Sequence, residues 1–95
     1  MGYMRRFRDK KTEALYWGHI EKGIPADVAG RAHNKIKFVA HAQNLSDIGR
    51  MPGSRLEKLS GSRKEQYSIR VNDQWRICFY WNGKQAAEIE LVDYH

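Results

Sequence analysis

Two arginines, Arg70 and Arg76, flank the polar run Asn72-Asp73-Gln74 within a stretch of alternating apolar residues, and the sequence ends in Asp93-Tyr94-His95. Set on one side of a sheet with Tyr80 and with Glu57 or Lys58, these groups can make a basic cleft with aromatic members. That mixture suits single-stranded RNA, where arginine binds phosphate and aromatic rings stack on unpaired bases. It also suits RNA cleavage without a metal. A base activates the ribose 2′-hydroxyl, a cation stabilises the charge building on phosphorus, and an acid protonates the leaving 5′-oxygen. Histidine, glutamate and tyrosine exchange protons, while arginine stays charged.

Each of these residues also has a plainer reading. Arg70 and Arg76 can be solvated cations on a sheet surface, and a final histidine is ordinarily a frayed end. The alternation of Trp75, Phe79 and Trp81 points to core packing rather than base stacking, and Tyr67 belongs with them. Cys78, interior to the same strand, suits a small packed residue better than a nucleophile. His33 and His41 are eight apart with Lys37 between them, which is not the spacing of a metal-ligand pair, and His19 has no local partner. Ser60-Gly61-Ser62 lacks the length and lysine-serine ending of a phosphate-binding loop.

The elements that must position these groups are legible from periodicity. Residues 67–81 carry the two-residue period of a β-hairpin. Residues that face the same way must sit opposite one another, which selects the three-residue loop Asn72-Asp73-Gln74. Val71 then faces Trp75, Ile69 faces Ile77, and Arg70 falls opposite Arg76. Like charges so opposed destabilise the pair unless counter-charges or a bound anion compensate. A second hairpin turns at Asn82-Gly83-Lys84, with Gly83 free to take positive φ. That register predicts Ile77 opposite Ile89, Trp75 opposite Leu91 and Arg76 opposite Glu90, which would neutralise Arg76 and leave Arg70 less compensated.

Upstream, residues 4–8 suit a basic edge strand. Asp9 caps a first helix that begins near Lys10, bears Ala14, Leu15 and Trp17 on one side, and weakens at Gly18. Ile24-Pro25 opens a second, stronger helix with Asp27 in its first turn and Val28, Ala32, Ile36 and Val39 on one face. Its outer face carries Arg31, His33, Lys35, Lys37 and His41. Residues 45–53 are expected as a mobile connection, with Leu45 and Ile48 covering the core edge. Residues 54–59 suit a short strand, and residues 60–65 a polar, basic turn.

At 95 residues the chain suits one domain spanning 1–95. Seventeen Lys and Arg against eleven Asp and Glu give a formal net charge of +6, which favours nucleic acid, a ribosomal surface or an acidic protein as partner. A single cysteine excludes an intramolecular disulfide and a cysteine metal cluster. No apolar run approaches the roughly 20 residues needed to span a bilayer, and the start lacks a signal-peptide h-region, so a cytoplasmic location is expected. Met4 can itself be a natural start.

The run Arg55-Leu56-Glu57-Lys58-Leu59-Ser60-Gly61, the strand pair from Ser68 to Phe79 and the ending Val92-Asp93-Tyr94-His95 resemble the HigB branch of the RelE-like toxins of bacterial toxin-antitoxin systems. The similarity covers nearly the whole chain from Met4, and the W-R-I-x-F strand combined with the D-Y-H end is its most specific part. The resemblance implies an α+β fold like that of microbial ribonucleases, with two N-terminal helices packed on a small, mainly antiparallel twisted β-sheet. It implies a metal-independent and cofactor-independent endoribonuclease that cleaves messenger RNA in the ribosomal A site and inhibits translation and growth. A HigA-type helix-turn-helix antitoxin is the implied partner, through which the toxin meets operator DNA.

By the same resemblance Arg76 stabilises phosphate and transition state, and Asp93, Tyr94 and His95 join it at the end of the last strand. Where some relatives place a histidine before the basic turn, this chain has Glu57, and a lysine position is taken by Ser60. Glu57 is therefore the candidate base, with Lys58 as the alternative. Arg70, Lys58, Arg63 and Lys64 are expected RNA contacts. Two other readings stay open: a non-catalytic module that binds RNA or antitoxin through the same face, and an operon regulator acting through Lys35 and Lys37 of the second helix.

Overall fold

A computed structural model describes residues 4–94. Asp9 accepts from the Thr12 amide at 2.9 Å and so starts α1 (Lys10–Tyr16), which ends before Gly18 at φ +90°. Extended Pro25 starts α2 (Ala26–His41), the longest helix. The expected apolar face is buried in full: Val28, Ala32, Ile36 and Val39 join Ala29 and Ala40. Fully burying a side chain such as Ile36 stabilises the fold by roughly 1.5–3 kcal/mol, so a charged residue there would undo the packing of helix on sheet.

The connection expected at 45–53 contains a third helix, α3 (Leu45–Arg50). Its apolar residue Ile48 is completely buried, and Asp47 and Arg50 form a one-turn ion pair at 2.5 Å. Anchored in the core in this way, the segment orders into a helix despite its glycine. Gly49 is needed for close approach, since a Cβ there would stand 3.3 Å from Leu56 Cδ2.

Four antiparallel strands follow in simple order: β1 (Glu57–Lys58), β2 (Gln66–Arg70), β3 (Trp75–Trp81) and β4 (Ala86–Asp93). The strand expected over residues 54–59 is thus only two residues long. The basic turn holds one 3₁₀ turn, Gly61–Arg63. Residues 4–8 form a single parallel bridge, Phe7 to Ile89, at the outer edge of β4. Helices and sheet close one core in which Leu15, Ile36, Val39, Ile48, Ile69, Ile77, Phe79, Ile89 and Leu91 meet. A polar tie crosses it, because the Leu91 amide donates to Thr12 Oγ1 at 2.9 Å.

The first hairpin has the expected register, with Ile69 opposite Ile77 and Arg70 opposite Arg76. Asn72 Oδ1 closes its turn by accepting from the amides of Gln74 and Trp75, both at 2.8 Å. The second hairpin departs from expectation, since Trp81 pairs with Ala86 and the loop is therefore the four residues Asn82-Gly83-Lys84-Gln85 rather than three. Tyr80 pairs with Ala87, then a bulge shifts the ladder so that Cys78 pairs with Glu90, Ile77 with Leu91 and Arg76 with Val92. Glu88 sits in this irregular stretch with φ +51°. The extra residue restores the facing of Ile77 and Leu91 but carries Glu90 away from Arg76.

Candidate active site

Helices cover one face of the sheet, and the ladder puts Glu57, Ser68, Arg70, Arg76, Cys78 and Glu90 on the other. Arg76 lies at the centre of β3, with its side chain only 16% exposed. Its Nε donates to Ser68 Oγ at 2.9 Å, and one terminal nitrogen meets Glu57 Oε1 at 3.1 Å and the Arg55 carbonyl at 3.3 Å. Arg55 has φ +47°, a left-handed turn just before β1. The counter-charge of Arg76 is therefore Glu57, from the opposite edge of the sheet to the expected Glu90.

Glu90 is held elsewhere, 3.0 Å from Arg63 and 3.7 Å from Arg8. Arg70 has its own carboxylate, Asp73 in the hairpin turn, which relieves the repulsion with Arg76. The mutual field of cations is still felt on α2: burial, then Arg31 and Arg70, lower the pKa of Lys35.

Tyr94 closes the site from the end of β4. Its amide donates to the Gln74 carbonyl at 2.6 Å, which ties the tail to the first hairpin turn. Its ring remains partly exposed. Burial and the neighbouring Cys78 hold the phenol above its ordinary pKa against the opposing pull of Arg63 and Arg76. The group is therefore protonated at neutral pH and can donate a proton or a hydrogen bond.

Not all the expected residues converge. Asp93 pairs with Trp75, so its register places it toward the helix-covered face, where Gln74 Nε2 donates to it at 3.1 Å. Lys58 pairs with Tyr67, lies 5.8 Å over that ring and meets Glu65 at 3.5 Å. Neither shares the open face with Arg76. Lys64 is exposed beyond the 3₁₀ turn, whereas Tyr80, half-buried opposite Gln66, does share the face of Arg76 as expected. His95, expected in the site, lies outside the described residues. The two helix histidines have structural partners: His33 Nδ1 donates to the Leu15 carbonyl at 2.6 Å, and His41 Nε2 is 2.8 Å from the Tyr16 hydroxyl.

Ser68 was not among the expected site residues, although the first hairpin's register already put it one step diagonally from Arg76. Among the described residues no group of three or more His, Cys, Asp or Glu side chains is arranged to hold a metal ion. None of the described helices is long and apolar enough to cross a membrane.

A family model described as "RelE-like toxin of type II toxin-antitoxin system HigB" matches residues 5–95. A Vibrio cholerae protein named "Toxin HigB-1" is 37% identical over 76 residues, covering 79% of this chain and 80% of that protein. A Proteus vulgaris protein named "Endoribonuclease HigB" is 26% identical over 92 residues, covering 97% of this chain and 99% of that protein.

Proposed function

The chain belongs to the HigB-like family, the RelE-like toxins of type II toxin-antitoxin systems, and from that premise we propose that it is an endoribonuclease that cuts messenger RNA in the ribosomal A site without a metal ion. The observation that carries this reading is the immobilised Arg76 guanidinium, held by Glu57, Ser68 and Arg55 on an open sheet face with Tyr94 at its edge. Fixed donors aimed at developing phosphate charge need no reorganisation during reaction. The Proteus vulgaris relative's name supports the same activity.

In this reading the scissile phosphate displaces Glu57 from Arg76. The freed carboxylate takes the proton of the ribose 2′-hydroxyl. The 2′-oxygen then bonds to phosphorus, the bond from phosphorus to the 5′-oxygen breaks, and a 2′,3′-cyclic phosphate remains. Tyr94, protonated at neutral pH, donates toward the phosphate or the leaving 5′-oxygen, and His95, the next residue in the sequence, shares proton transfer. The ribosome supplies positioning of the message. A type II system implies an antitoxin partner, here a HigA-type helix-turn-helix protein that also carries the toxin to operator DNA. The site of action is the cytoplasm.

The test uses purified protein, stripped of metal with chelator and dialysed, added to ribosomes programmed with a defined message. The expected outcome is a break at the A-site codon, with the cyclic phosphate on the upstream fragment and no break in naked RNA. Intact message at protein levels that arrest translation would overturn the reading in favour of a binding module.

A further inference from the structure

Arg76 and Arg70 each face one carboxylate, Glu57 and Asp73, but Glu90 lies between two guanidiniums. Its Oε1 stands 3.0 Å from Arg63 Nη1 and 3.7 Å from Arg8 Nε. This cluster keeps one positive charge after pairing, whereas the other two pairs cancel. Arg8 reaches it because the N-terminal segment runs along the outer edge of β4, where Phe7 bridges to Ile89 and the Arg8 amide donates to the Ile89 carbonyl at 2.9 Å. Phe7 packs against the core, so alternation turns Arg8 to the open face.

One rung of the ladder crosses all four strands as Glu57, Ser68, Cys78 and Glu90. Neighbouring strands lie about 4.8 Å apart, so the two carboxylates end a row roughly 14 Å long. Arg76 leans over β2 toward one end, through Ser68 and Glu57. Arg63 lies over β3 near the other end, since its Nη1 meets both Gln66 Oε1 on β2 at 3.2 Å and Glu90 on β4. Arg8 extends the row past β4. One phosphate group is too small to touch both ends, but two consecutive phosphates of an extended single strand match guanidiniums that lean inward from each. The side chains of Arg8 and Arg63 are 49% and 28% exposed. Among the described residues their contacts engage one nitrogen of each, which leaves the rest of each planar fork to a phosphate.

We propose that Arg63 and Arg8 form a second phosphate subsite, which binds the RNA phosphate next to the one on Arg76 and so lays the strand across the sheet. Glu90 is a positioning residue that holds the two guanidiniums together. That the bound strand is the message being cut rests on the endonuclease reading. The subsite itself is a property of the isolated chain.

The test uses the isolated protein and a 2′-O-methyl trinucleotide, which carries two phosphates and cannot be cut, together with versions in which either phosphate is a neutral methylphosphonate. Binding is followed by NMR titration of arginine Nε–H signals, assigned with Arg8→Gln, Arg63→Gln and Arg76→Gln. The unmodified trinucleotide is expected to shift all three signals. Arg8→Gln weakens binding, and the slope of log Kd against log salt becomes shallower by about 0.7, one cation's share on a single strand. A methylphosphonate at one of the two positions abolishes the difference between Arg8→Gln and the unaltered protein, and at the other position leaves it intact. Arg63→Gln follows the same pattern at the same position. Unmoved Arg8 and Arg63 signals would overturn the proposal. So would an Arg8→Gln effect that survives both methylphosphonates, which would mean a diffuse field instead of a site. Programmed ribosomes separate the two readings. If the coupling to one phosphate is found but the unaltered protein cuts no message, the subsite stands and the endonuclease reading falls. If the message is cut but the coupling is absent, the subsite falls and the endonuclease reading stands.

Discussion

At the scale of single residues, the site depends on how completely Arg76 is constrained. A guanidinium has five donors in a planar fork, so it can stay anchored to Ser68 and the Arg55 carbonyl while a phosphate takes the place of Glu57 and the remaining N–H groups. An ammonium is a point charge and cannot hold that orientation. Arg76→Ala is therefore expected to reduce cleavage by about 10²–10³-fold, the cost of removing one preorganised donor set, and Arg76→Lys to recover only a minor part. Single-turnover cleavage on programmed ribosomes measures both. A lysine variant at full rate would show that charge alone suffices and that the three supporting contacts are incidental.

At the scale of elements, the bulge in β4 matters most for where charges fall. It moves Glu90 opposite Cys78, so the Arg76 counter-charge comes from β1 while Glu90 secures the Arg63 turn. The same irregular stretch binds the N-terminal segment: Glu88 accepts from the Arg5 amide at 2.8 Å and its carboxylate meets the Arg5 guanidinium at 3.3 Å. Burial alone would raise the Glu88 pKa, but the hydrogen bonds and charge of Arg5 outweigh it and hold the group below its ordinary value. A carboxyl depressed in the folded state contributes stability that is full above its unfolded pKa, about 4.3, and is lost as pH falls through the folded value. Acid unfolding followed by circular dichroism should show this contribution in the parent protein and a flatter acid limb in Glu88→Gln. Identical limbs would mean that the Arg5 contacts do not persist in solution.

At the scale of the whole molecule, a net charge of +6 on a small chain sets up long-range attraction to polyanions. The cations of the open face are locally paired: Arg76 with Glu57, Arg70 with Asp73 and Arg63 with Glu90. Long-range steering is therefore the part of recognition that salt should weaken, while the short-range constraint on Arg76 should persist. We expect the apparent KM for programmed ribosomes to rise steeply with potassium chloride and kcat to change little. A flat KM across the same range would show that shape, not charge, brings the two together.

Alternation and turn chemistry in the sequence by itself determined the capped first helix, the buried face of the second helix and the register of the first hairpin, all of which rest on neighbours close along the chain, while the α+β architecture was implied by family resemblance. The D-Y-H end carried meaning only through family resemblance, since no local rule distinguishes it from a tail. Tertiary structure alone decided the rest. A longer turn and a bulge together slide β4 by two residues without changing which face its side chains take, so Glu57 rather than Glu90 becomes the counter-charge of Arg76. Burial of Ile48 orders a third helix where turn residues suggested only a connection. Strand parity sends Asp93 and Lys58 away from Arg76, and the last strand brings the Tyr94 backbone onto the first hairpin turn at Gln74. These outcomes depend on contacts between segments far apart in sequence, where a single shift in register changes which charges meet.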